Sequence, residues 1–218
     1  MVNYFPAITS VITAIFAILL FIQYLQRRKV HQLVWTISVI MFFLSALFEF
    51  LAELFGWTDL MYRFYYVLTP LLVALMGTGS LFLLADRKWG NYFLYYTLGL
   101  CTPLFILAFT ATLNTEMFAR GSEIAGLAMP SYVRIFSPLM TIPGGLALII
   151  GAIYSYWLDR TRTCNLLIAI GGMFPFIGGM MTRFGVTIFF YPFETIGAVL
   201  LFLGFLKSAE VLRGTKQD

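Results

Sequence analysis

LMYRFYYVLTPLLVALMGTGSLFLL, from Leu60 to Leu84, carries a single charge, Arg63, close to its start. A helix crosses a ~30 Å hydrocarbon core with about 20 apolar residues, so this stretch reads as a transmembrane helix. The run is continuously apolar and lacks the alternation of a barrel strand. In lipid, a helix satisfies its own backbone hydrogen bonds. Outward from it, six more runs share this character: Tyr4–Leu25, Leu33–Leu54, Tyr92–Thr112, Tyr132–Trp157, Cys164–Met181 and Val186–Leu206. The expected fold class is an all-α membrane protein, one seven-helix transmembrane bundle over residues 1–218.

Composition agrees. The 218 residues are 61% hydrophobic and 11% charged, whereas a soluble domain carries about 25% charged residues to face water. Lipid must cover most of the outside. The net charge of +4 sits in short clusters between apolar runs, which points to membrane orientation and away from nucleic acid. Cys101 and Cys164 lie far apart in or beside apolar runs and read as small core residues. No basic n-region precedes the first run and no lipidation signal is present at either end, so a retained first span is expected.

The first, third and fifth connections hold Arg27, Arg28, Lys29, Arg87, Lys88, Arg160 and Arg162, and the tail adds Lys207, Arg213 and Lys216. The opposite side has Arg63, Arg120, Arg134 and Arg183. Ten basic residues against four place the N-terminus outside and the C-terminus in the cytoplasm. Trp35, Trp89, Trp157 and Trp57 fall at span boundaries and read as interfacial anchors. The one long connection, Leu113–Ser131, reads as a short interfacial helix or a cap over an outward cavity.

Phe55–Leu75 can be laid on Phe184–Gly204 without a gap. Phe55, Gly56, Thr58, Tyr62, Phe64, Leu71 and Leu72 then meet Phe184, Gly185, Thr187, Tyr191, Phe193, Leu200 and Leu201, seven identities in twenty-one positions. The third span pairs with the seventh, which implies a 3+1+3 parallel repeat: 4–84 and 132–206, with 92–112 as the linker helix. Parallel repeats place binding sites near mid-membrane between the halves. Gly171 and Gly178, seven apart, share a face that allows close helix approach or sliding. Pro70, Pro103, Pro138, Pro143, Pro175 and Pro192 are candidate kinks.

Ionisable residues inside spans are costly and mark candidate sites. Glu49 and Glu53 are one turn apart on the second span. Glu194 lies eight residues into the seventh run, roughly 12 Å deep at ~1.5 Å per residue. The expected site is an outward-opening polar pocket of Glu49, Arg63, Tyr66, Arg183, Tyr191 and Glu194. The competing reading makes these residues interhelical ion pairs that lock the bundle. Glu53 and Arg134, near the headgroups, read as snorkelling side chains.

Other chemistry is poorly supplied. His31, the only histidine, follows the basic cluster and reads as interfacial, so a histidine-ligated metal site and serine–histidine catalysis lack partners. Asp59, Asp86, Asp159 and Asp218 are peripheral, and phosphate-loop and dinucleotide motifs are absent. No enzyme activity is expected.

A 3+1+3 bundle with an outside N-terminus resembles, in architecture and over the whole chain, the microbial rhodopsins and the SWEET-type sugar transporters. Phe174, Pro175 and Glu194 carry the rhodopsin likeness. In that family a retinal-bearing lysine stands one turn after an acidic residue of the seventh span; here that position is Ala198. Lys29, Lys88, Lys207 and Lys216 all fall at expected cytoplasmic boundaries or in the tail, so covalent retinal is excluded and no cofactor is expected. The first functional reading is a small-molecule transporter, the second a ligand-binding sensor, the third a structural or assembly subunit. Expected partners are the lipid bilayer, a small-molecule ligand, and a second copy of the chain or a membrane partner protein. The absence of a presequence and the tight loops suit a prokaryotic cell membrane.

Overall fold

The computed structural model describes residues 3–120 and 126–214, except for the side chains of residues 119, 120, 183 and 209–214. Among these residues there is no strand. Seven helical spans are long and apolar enough to cross a membrane. They are α1 (Phe5–Arg27), α2 (Val30–Phe55), α3 (Asp59–Leu84), α4 (Arg87–Thr110), the four-residue α5 (Ser131–Arg134) running on into α6 (Phe136–Leu158), α7 (Cys164–Arg183) and α8 (Phe190–Gly214). The chain has the make-up of a polytopic membrane protein.

Local signals set the turns. Arg28 closes α1 in the left-handed region at φ 52°. Gly56 at φ +80° ends α2, and Gly185 at φ +85° follows α7, a conformation that side chains disfavour. Thr58 caps α3 by accepting a hydrogen bond from Met61 N at 3.3 Å. Asp159 turns the chain into α7, accepting from Thr161 Oγ1 at 2.6 Å and Arg162 Nε at 2.9 Å. These bonds hold its exposed carboxyl below the usual carboxylate range, with the Thr161 hydroxyl the largest contributor.

The helices form a closed ring in the order α1, α2, α3, α6, α7, α8 and back to α1. α4 stands outside it, against α3 and, more lightly, α6. Accordingly α4 is the least buried span and α3 the most. One end of the ring, the N-terminal face, carries the start of α1 and the α2–α3 and α7–α8 connections. The other end, the basic face, carries the basic clusters of the α1–α2, α3–α4 and α6–α7 connections.

Backbone approaches backbone at two seams. A methyl group built on Gly144 of α6 would lie 2.6 Å from Ala74 Cα of α3. One on Gly197 of α8 would lie 2.7 Å from the Gly171 carbonyl of α7, and one on Gly204 2.9 Å from the Cys164 carbonyl. Only glycine permits such spacing. The Gly171 carbonyl is also the one that Pro175 leaves without its helical donor.

Pro143 creates the same vacancy at the Leu139 carbonyl in α6. Tyr96 of α4 fills it, its hydroxyl donating at 2.7 Å. This explains how a lipid-facing helix is fastened to the ring. Tyr96→Phe is expected to cost about 1–2 kcal/mol by orphaning that carbonyl, read as a lower denaturant midpoint of the purified protein. An unchanged midpoint would contradict this assignment.

Two tryptophans differ from the interfacial reading. Trp35 is half-buried, donates to the Met76 carbonyl at 3.1 Å and packs on Gly79. Trp57 is 7% exposed, its ring 5.0 Å from Tyr65. In both, partners from α3 take up the indole. Trp89 and Trp157 are 63% and 66% exposed, as anchors would be. α4 begins at Arg87 because its basic first turn continues the helix. α8 begins at Phe190 because residues 186–189 form a turn in which Phe190 N bonds the Thr187 carbonyl at 2.9 Å.

Candidate functional site

Two buried seams bring acidic groups into the ring. On α2, Ser38, Phe42, Ser45, Glu49 and Ala52 recur at spacings of four and three and are all buried. On α8, Tyr191, Glu194, Ala198, Leu201 and Phe205 do the same. This spacing keeps residues on one helix face. A carboxyl group on each seam therefore points where an apolar side chain would normally pack.

Between the helices lies a cavity of ≈ 360 Å³. Its polar wall is Ser45 and Glu49 of α2, Tyr65 and Thr69 of α3, Arg134, Ser137 and Thr141 of α5 and α6, Thr182 of α7, and Glu194 of α8. Glu49 is 1% exposed and Glu194 8%. The Glu49 carboxyl lies within interaction range of the Glu194 carboxyl and the Tyr65 hydroxyl. A bond between two carboxyls requires a proton, because an ionised carboxylate only accepts. Neither carboxyl is ion-paired to a described residue. Glu49 Oε2, Glu194 Oε2 and Ser45 Oγ are buried with no hydrogen-bond partner among the described residues. Orphaned buried polar atoms are rare and call for an explanation. Here all three belong to residues lining one void.

Toward the basic face the cavity ends on Met76, Leu148 and Leu201, which also roof a second, wholly apolar cavity of ≈ 30 Å³. Phe16, Leu20, Trp35 and Phe205 complete that lower layer, with the Phe16 and Phe205 rings 5.4 Å apart. This plug separates the carboxyls from the basic face. At the N-terminal face the long connection folds back over α3: Ala128 N donates to Tyr62 Oη at 3.2 Å, and Leu127 reaches the cavity wall. Of this connection, read as a short interfacial helix or a cap, the described residues form a 3₁₀ turn over Thr115–Arg120 and place Leu127 on the cavity wall.

The structure brings together Glu49 and Glu194 of the expected set. Glu194 lies one turn into α8, roughly 6 Å from its start, so it is shallower than the sequence count implied; the turn before Phe190 accounts for the difference. Tyr191 is fully buried on the same seam, behind the wall. Tyr66 is buried against Tyr62, with ring centroids 6.4 Å apart, away from the cavity. Arg63 is also elsewhere: its guanidinium holds Asp59 and donates to the Ala108 and Ala111 carbonyls, the latter at 2.9 Å. Those carbonyls close α4 and lack helical donors, so Arg63 caps α4 against α3. The side chain of Arg183 lies outside the described residues. Glu53 accepts from Asn3 N at 3.2 Å.

The expected set omitted Ser45, Tyr65, Thr69, Ser137, Thr141, Thr182 and Arg134, the last read from the sequence as a snorkelling side chain and here on the cavity wall. Ser45 and Glu49, Tyr65 and Thr69, and Ser137 and Thr141 are each four apart, polar pairs on one face of an apolar helix. That signal was available. Among the described residues, no group of three or more metal-ligating side chains occurs.

Comparison with protein-family models, curated proteins and solved structures gave no match. The functional reading therefore rests on the cavity and its two carboxyls.

Proposed function

We propose that the protein is a small-molecule transporter whose substrate occupies the cavity against Glu49 and Glu194, with the N-terminal face outside. The observation that carries this reading is the pair of neighbouring buried carboxyls, each with one unpartnered oxygen, on the wall of the cavity. A pair serving only to lock the bundle would have no need of that void. The positive-inside count supports the orientation. The matching Phe-Gly-X-Thr turns at 55–58 and 184–187, both with glycine at positive φ, support two parallel repeats, with α4 as the linker outside the ring. The plug below the cavity supports alternating access, since it closes the cavity toward the basic face.

Burying net charge costs several kcal/mol per ion. Counted apart from Arg134, which stands on the cavity wall in both states, the empty carboxyl pair is neutral when both hold protons. The pair with a bound monovalent cation is neutral when the two carboxyls share one proton. Occupancy thus exchanges one cation for one proton. The titratable groups nearest the pair are Glu53 on α2, Tyr65 on α3, Tyr191 on α8 and, toward the N-terminal face, Arg134. Uptake into proteoliposomes, driven by an imposed pH gradient, tests the proposal. Gradient-dependent accumulation of a cationic solute is expected. Binding without flux would assign a sensor instead.

A further inference from the structure

We infer that the cavity takes lipophilic monocations, an amine or quaternary ammonium head on an apolar body, and admits them from the bilayer through a portal between α6 and α7. The inference deepens the transport reading and rests on it only for the step after binding, release on the other side of the membrane. Ile142 of α6 and Met180 of α7 both wall the cavity, yet are 42% and 44% exposed. Gly179, beside Met180 on α7 and also on the wall, has nothing within 4 Å of where a side chain would start. One turn deeper, the gap is closed only by a side chain: a methyl on Gly145 would meet the Phe176 ring at 2.8 Å. The α3–α6 and α7–α8 seams, by contrast, close backbone on backbone.

The portal lies level with the carboxyls, because Gly178 packs on Phe193, the neighbour of Glu194. The other approach, from the N-terminal face, passes Arg134 and Leu127, and a fixed positive charge there disfavours a cation. Most of the remaining wall is apolar, including Phe42, Leu72, Val73 and Leu148. An apolar chamber with two unpartnered carboxyl oxygens on one wall, and its one arginine set toward the N-terminal face, matches a cationic amphiphile.

Two probes with the same head, hexyltrimethylammonium and tetramethylammonium, separate the parts of the inference when binding is measured on nanodisc-embedded protein. The hexyl compound is expected to bind at least about 10-fold tighter, since each buried methylene adds affinity, and to lose binding in E49Q/E194Q. Gly179→Phe is expected to slow its association at least about 10-fold, whereas Gly99→Phe, at an equally open position on α4, leaves it unchanged. Met180→Trp narrows the same gap and replaces G179F if that variant does not fold. Wild-type association rates in the portal variants would overturn the portal. Equal affinity for the two probes would overturn the lipophilic class. No binding of either would overturn the inference while leaving transport open to the uptake panel. Binding of the hexyl compound without flux would uphold the inference and sink the transport reading.

Discussion

Replacing Glu49 and Glu194 together by glutamine is expected to abolish proton-driven exchange while leaving the bundle folded. Glutamine keeps the size of the side chain and its hydrogen-bonding capacity, so the contacts of the two groups with each other and with Tyr65 can persist in amide form. What it removes is the exchangeable proton. Each single variant retains one carboxyl, which by the same charge count can still trade its proton for one monovalent cation, and is expected to keep gradient coupling while binding more weakly. Flux of the double variant should fall by at least about 100-fold, the loss of a charge-assisted partner worth about 3 kcal/mol or more. Proteoliposome uptake measured beside the thermal unfolding midpoint checks both halves. Loss of folding along with flux would return the two residues to a purely structural role.

The largest effect on stability is expected at Gly144. Any side chain there meets the α3 backbone, with Ala74 Cα at 2.6 Å and the Val73 carbonyl at 2.8 Å. Backbone cannot turn aside as a side chain can. Gly144→Leu must therefore push α6 from α3 and open the ring, at a cost of about 3 kcal/mol or more. Gly99 provides the contrast: nothing lies within 4 Å of its added Cβ, and Gly99→Ala should raise stability by about 0.5–1 kcal/mol through helix propensity. Denaturant midpoints of the two variants, measured in one detergent, test the difference. A Gly144→Leu protein as stable as wild type would contradict the seam.

How far the site could be read in advance depends on the physics of each residue. Span number and approximate limits were legible because lipid leaves a length and polarity requirement on every crossing segment. Glu49 and Glu194 were legible for the same reason: a carboxyl among apolar neighbours stands out. Arg63 stood out equally, but its long side chain reached two orphaned carbonyls at the end of α4, and a single sequence does not show which helix end a guanidinium will find. Tyr65 hid among Tyr62 and Tyr66, since adjacent helix positions differ in direction by a packing register that the α2–α3 contact decides. Trp57 belongs to the same case. The ring order, with α4 outside, came from glycine contacts between α3 and α6, distant in sequence.

Infrared difference spectroscopy of the nanodisc-embedded protein, with and without hexyltrimethylammonium, observes the exchanged proton itself. A protonated-carboxyl stretch is expected in the empty wild-type protein, diminished when the cation binds and missing from E49Q/E194Q. The same band in the double variant, or a band indifferent to the cation, would contradict the assignment of these two carboxyls as the exchange site.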